Sequence, residues 1–129
     1  MKINIGLIAI IMILCQCCEL FVDHAYFIKV QNNSDAKVRC YASYNFPDTS
    51  LNLTKPSLQL INPKSYTTIE SKEKWDKVLP KDTLEIFIIS EDTLLKYDWG
   101  IIKANYKILK RFDLSISDIQ ESGSNVIYP

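Results

Sequence analysis

The stretch Ile5 to Cys18, IGLIAIIMILCQCC, sets the strongest limit on what this chain can become. One positive side chain, Lys2, precedes ten apolar or small residues from Ile5 to Leu14, the charged and apolar parts of an export signal. A helix that spans a membrane needs about 20 apolar residues to cross roughly 30 Å of hydrocarbon. Gln16 and Glu19 interrupt this run well short of that, and its all-round apolarity lacks the single stripe of a surface core helix. The folded part of the protein is therefore expected after Cys18 and beyond the cytoplasm.

A signal that ends in small residues is cut and lost, whereas one that ends at Cys is a substrate for acylation, with the Cys kept as the mature N-terminus. Cys17 and Cys18 are the candidate lipidation sites. Leu14 stands three residues before Cys17, with Gln16 where a small residue is usual; Cys18 precedes the acidic Glu19 and has Cys15 in the aliphatic position. Residues 1–18 read as an export signal of lipoprotein type, with simple secretion as the first alternative and an uncleaved anchor as the last. Residues 19–25 read as a tether and 26–129 as one β-rich domain.

A domain of this length buries about two thirds of the surface its unfolded chain exposes, which suffices for one core. Lys and Arg balance Asp and Glu at 15 each, so nothing in the bulk charge draws the chain toward nucleic acid. With Cys15, Cys17 and Cys18 in or beside the signal, only Cys40 falls in the domain, and an internal disulfide framework is excluded. A Cys18–Cys40 bridge stays open if Cys17 carries the lipid. His24, the one histidine, lies in the tether and reads as a solvated linker residue, which leaves no zinc site. Three glycines supply no phosphate loop, and there is no nucleophile elbow and no calcium loop. No cofactor and no metal are expected. Glu91-Asp92 suit the first turn of a helix, and a hydrolase built from scattered carboxylates stays as a remote alternative, since its two acids need only meet in space.

Along the domain, Tyr26, Ile28 and Val30 alternate with Phe27, Lys29 and Gln31, the period of a strand. Asn32-Asn33-Ser34-Asp35 supplies turn chemistry, and Val38, Cys40, Ala42 and Tyr44 alternate on the way back, so the pair is expected to form a hairpin with Cys40 facing the core. Pro47, Pro56 and Pro63 make Asn45 to Lys64 a long irregular crossing, and its segment Phe46, Pro47, Asp48, Thr49 is the candidate interaction loop. Tyr66 to Glu70 reads as a strand, after which Ser71 caps a helical turn whose Trp75, Val78 and Leu79 share one face. Leu84 to Ile89 is the nearly continuous apolar run of a central strand buried on both sides. Ser90 opens a short helix closed near Trp99-Gly100, and Ala104 to Leu114 is strand again, with Lys107, Lys110 and Arg111 on a solvated face. Ser117 and Gln120 box a last helix closed by Gly123 before a small strand, Asn125 to Tyr128. The fold class is mainly β: a single antiparallel β-sandwich-like domain with two or three short helices.

Several pieces in fixed order carry a resemblance: Asn32-Asn33-Ser34-Asp35, Phe46-Pro47-Asp48-Thr49, Trp75 ahead of Asp82-Thr83-Leu84-Glu85-Ile86-Phe87, Leu109-Lys110-Arg111-Phe112, and Tyr128-Pro129. Together they resemble a family of small lipoprotein-like proteins of Bacteroidetes, many from gut bacteria. The resemblance covers nearly the whole domain and implies an outer-membrane or envelope location and a β-rich fold, without a mechanism. It further implies that Asp82-Thr83-Leu84 and Asp92-Thr93-Leu94 are O-glycosylation sites, with Thr83 and Thr93 as acceptors. The expected function is that of a non-catalytic interaction module, anchored to the membrane by lipid and facing an envelope protein or a glycan. A periplasmic or surface carrier for a small apolar ligand or glycan is the alternative, given seven Tyr, five Phe and two Trp in a small chain.

Overall fold

The computed structural model describes residues 26–48, 50–51, 54–121 and 124–129. Seven strands and four helices follow one another as β1 (Tyr26–Asn32), β2 (Val38–Ser43), β3 (Gln59–Ile61), β4 (Ser65–Ser71), α1 (Trp75–Val78), β5 (Thr83–Ser90), α2 (Glu91–Lys96), α3 (Trp99–Ala104), β6 (Lys110–Ser115), α4 (Ile116–Glu121) and β7 (Asn125–Tyr128). The strands form a four-stranded sheet in the order β3-β2-β5-β6 and a three-stranded sheet in the order β4-β1-β7. The chain is thus mainly β and sandwich-like, as its alternating patterns indicate. Among the described residues there are four helices, against an expected two or three, and one strand pair, β1 with β7, is parallel among antiparallel ones.

The expected hairpin does not form. β1 pairs with β4 and β7 while β2 pairs with β3 and β5, so residues 33–37 carry the chain from one sheet to the other. Asn32 organises that passage. Its buried side chain donates to the carbonyls of Ala36 at 2.8 Å, Ile61 at 3.2 Å and Asn62 at 3.2 Å, and its Oδ1 accepts from the Ser34 amide at 3.0 Å and hydroxyl at 2.7 Å. One side chain therefore ties the crossing to the turn between β3 and β4. Asn32→Ala is expected to cost about 2–3 kcal/mol, because it takes the donor from the buried Ile61 carbonyl and removes the bonds that tie the crossing to Ala36 and Asn62. A urea midpoint equal to that of the parent would contradict this account.

The inner faces of the two sheets meet in one core. Ile28, Val30, Ile69 and Val126 come from the smaller sheet, and Val38, Cys40, Ile61, Leu84, Ile86 and Ile88 from the larger. Trp75 and Leu79 close one end, as their spacing on one helical face leads one to expect. Cys40 is wholly buried there, and burial pushes its thiol up to about 12, so it packs as a small hydrophobe. The outer face of the larger sheet is covered as well: Tyr41, Phe87 and Ile89 pack against Leu51, Ile102 and the partly buried Leu94 and Trp99. β5 runs between β2 and β6 with residues 84 to 89 fully buried, the central strand its composition announces. The outer face of the smaller sheet stays open, with Phe27, Tyr66 and Ile127 each more than half exposed.

Helix ends differ from the expectation in three places. Ser71 ends β4 with its hydroxyl turned onto the Glu73 backbone, and α1 starts only after Lys74. The helix opened by Ser90 stops at Lys96, and Asp98 then caps a second helix by accepting from the Ile101 amide at 2.9 Å. Gly100 therefore lies in the first turn of α3 instead of closing α2. The capping box of α4 is Ser115 with Asp118, two residues ahead of the expected pair: Asp118 Oδ2 accepts the Ser115 amide at 2.8 Å and Ser115 Oγ accepts the Asp118 amide at 3.1 Å. β6 begins at Lys110, since Ala104 still belongs to α3, and the crossing from Asn45 to Lys64 contains β3.

Candidate functional site

The period of β5 places Glu85 on the same side as Phe87 and Ile89, the side of the larger sheet that faces α2 and α3. In the sheet register Glu85 lies between Ser43 of β2 and Asp113 of β6, and Phe87 lies opposite Arg111. The chain that leaves β2 at Ser43 folds back over this row, and the side chains of the row hold it there. Both Glu85 carboxylate oxygens accept from the Asp48 amide, at 3.0 and 2.9 Å. Arg111 Nη1 donates to the Asp48 carbonyl at 3.2 Å, and Ser43 Oγ donates to Asp48 Oδ2 at 3.1 Å. Asp48 is thereby fixed through its amide, its carbonyl and its side chain.

Below the loop the charges close on one another. Arg111 Nη2 lies 2.7 Å from Glu85 Oε1, while its Nε and Nη2 donate to the two oxygens of Asp113 at 2.6 and 3.0 Å. Glu85 is fully buried, and burial raises its carboxyl above the ordinary range against the opposing pull of the Asp48 amide and the Arg111 guanidinium. The hydrogen bond from Arg111 to Asp113 is the leading cause of a raised Arg111, which stays charged.

Phe46, Pro47 and Asp48 therefore belong to a fixed loop, joined by a cis Phe46–Pro47 peptide. Phe46 and Asp48 are partly exposed, and Tyr44 and Pro47 exposed. Thr49, together with Cys17 and Cys18, lies outside the described residues. Arg111 is not on a solvated strand face as its basic neighbourhood suggests: it is the counter-ion of Glu85. Glu85 is not legible as a site residue in the sequence, because a single acid inside an apolar run carries no local sign of its partner.

Two carboxylates, Glu85 and Asp113, do meet in space, as a carboxylate hydrolase requires. The guanidinium occupies the room between them that a scissile bond would need. Among the described residues no group of three or more His, Cys, Asp and Glu is arranged to hold a metal ion, and no helix is long and apolar enough to cross a membrane. Thr83 is partly exposed at the start of β5, ahead of the wholly buried Leu84, and Thr93 is partly exposed within α2. The structure brings neither threonine to the loop. No protein-family model, curated protein or solved structure matches this chain.

Proposed function

We propose that this protein is an exported, lipid-anchored module of the cell envelope, one of the lipoprotein-like proteins of Bacteroidetes, that works without catalysis by presenting the Tyr44–Asp48 loop to a partner protein. The export segment ending at Cys17 and Cys18 supports the location. One observation carries the choice of surface: a fully buried carboxylate and its arginine are spent on fixing the backbone of a surface loop. A buried ion pair is a weak source of stability, since apolar residues of similar volume would serve the core as well. What it supplies here is position. A loop ordered in advance loses little conformational freedom on binding, and Tyr44, Phe46 and Pro47 offer the aromatic and rigid side chains that protein interfaces favour.

The test is made in the native host. The intact mass of the membrane-fraction protein is expected to match a chain that begins at Cys17 or Cys18 and carries acyl groups. A photo-crosslinking amino acid at position 46 is expected to capture one envelope protein, and the Arg111→Ala background, which frees the loop, to abolish the capture. An unmodified soluble chain would remove the anchor from this reading, and a crosslinker at position 46 that captures nothing on intact cells would remove the loop.

A further inference from the structure

A second surface, separate from the loop, has the make-up of a ligand site. Where β1 begins, a groove of about 470 Å³ opens between α1 and α4. That volume is within the range of about 300–1,000 Å³ common to small-molecule sites. Three rings, those of Tyr26, Phe27 and Trp75, and the aliphatic chains of Ile116 and Ile119 form its apolar part. Lys74, Asp76, Gln120 and Ser124 form its polar part; Ser124 Oγ donates to the Ile119 carbonyl at 3.2 Å, and among the described residues the other three side chains make no hydrogen bond or ion pair. Trp75 is 7% exposed, and its indole N–H is neither bonded within the described residues nor sealed from solvent. A buried tryptophan ordinarily finds a partner for that donor.

The groove thus offers aromatic surface together with donors and acceptors that no described residue occupies and that a ligand can reach. Lys74 and Asp76 cancel in charge, which disfavours an anion or a cation as ligand. A purely apolar ligand would desolvate the polar groups without bonding them, at the cost that attends any buried unpaired polar group. A ligand that has apolar ring faces and hydroxyl edges satisfies both halves. We propose that this groove binds a neutral saccharide, with Phe27 as the stacking ring and Gln120, Asp76 and the Trp75 N–H as hydroxyl partners. Phe27 also belongs to the open outer face of β1, where Lys29 and Gln31 follow it at alternate positions. A saccharide chain longer than the groove has an uncovered path along that face.

The test uses the full chain in phosphatidylcholine nanodiscs, titrated calorimetrically with neutral hexasaccharides of glucose, mannose and N-acetylglucosamine, and with octanoate as the apolar probe. At least one hexasaccharide is expected to bind saturably, and Phe27→Ala and Gln120→Ala each to weaken it about tenfold, the scale of one lost stacking ring or bonded amide. Both side chains are exposed, so both variants are expected to keep the parent's urea midpoint. Phe46→Ala is expected to leave saccharide binding unchanged, which separates this site from the loop. Absence of saturable saccharide binding up to about 10 mM, a regime weaker than most specific recognition, overturns the proposal. So does saccharide binding that both groove variants leave intact, or octanoate binding sensitive to them in place of any saccharide.

Discussion

Arg111→Ala is expected to lower folding stability by about 3–5 kcal/mol near pH 8, the cost of leaving one partner of a buried ion pair uncompensated. Glu85 is fully buried, and its charged neighbours are Arg111, Asp113 and Asp48. Without the guanidinium, the Asp48 amide alone opposes burial and the two acids, and the Glu85 carboxyl rises further above the ordinary carboxylate range. Between that ordinary value and the raised one, the folded variant holds a proton that the unfolded chain releases. Stability of the variant therefore falls as pH rises through the window, and the deficit shrinks in acid. Urea unfolding of parent and variant at pH 5 and pH 8 reads this directly. Adding Glu85→Gln to Arg111→Ala is expected to flatten the pH dependence, because nothing is left at position 85 to titrate. A variant as stable as the parent at pH 8 would show that the pair does not hold the loop.

Phe87→Ala is expected to cost a further 3–5 kcal/mol as a separate change, about the usual loss for emptying a buried aromatic site. Phe87 is fully buried and stacks on Tyr41 with centroids 4.9 Å apart and planes 15° from parallel. Tyr41 in turn meets Trp99 edge to face at 6.2 Å, so the ring of Phe87 is the floor on which α3 rests. The Arg111 guanidinium also lies 5.9 Å from that ring, which links this core to the ion pair. Near-UV circular dichroism is expected to lose intensity along with the denaturant midpoint. Phe27→Ala, the same change at an exposed position of the open sheet, is expected to stay within about 0.5 kcal/mol of the parent. Equal losses at positions 27 and 87 would contradict the covered and open faces assigned to the two sheets.

Period and punctuation made most elements legible in the sequence, and pairing much less so. The alternation in Tyr26–Asn32 and Val38–Ser43 is a local property, and it correctly sends Ile28, Val30, Val38 and Cys40 inward. Which strands then pair depends on contacts far along the chain. A hairpin and a crossing between sheets use the same Asn-Ser-Asp chemistry, and what distinguishes them is the distant pairing of β1 with β4 and β2 with β5, with Asn32 bonded to the carbonyls of Ile61 and Asn62. The Phe46–Asp48 loop stands out by its prolines, whereas its fastening does not, because Glu85 and Arg111 come together only through the β5–β6 register. The same limit applies to Asp98, whose capping role required knowing that α2 had already ended. The groove gathers β1, α1 and α4 from distant parts of the chain, and no single segment announces it.

The pairing of β1 with β7 sets an order of events in time. Lys29 lies across from Asn125, so the first described strand completes its hydrogen bonds only after nearly the whole domain has been made. Closing so long a loop is slow, and contacts of this separation form late. The larger sheet, from β2 to β6, has all its strands earlier. A chain halted before β7 would thus carry an open edge on β1, the strand that bears Ile28 and Val30, and such an edge is a template for joining another chain. Four residues, Asn125–Tyr128, cover that edge in the finished domain, and with them the sheet's edge passes from β1 to the shorter β7.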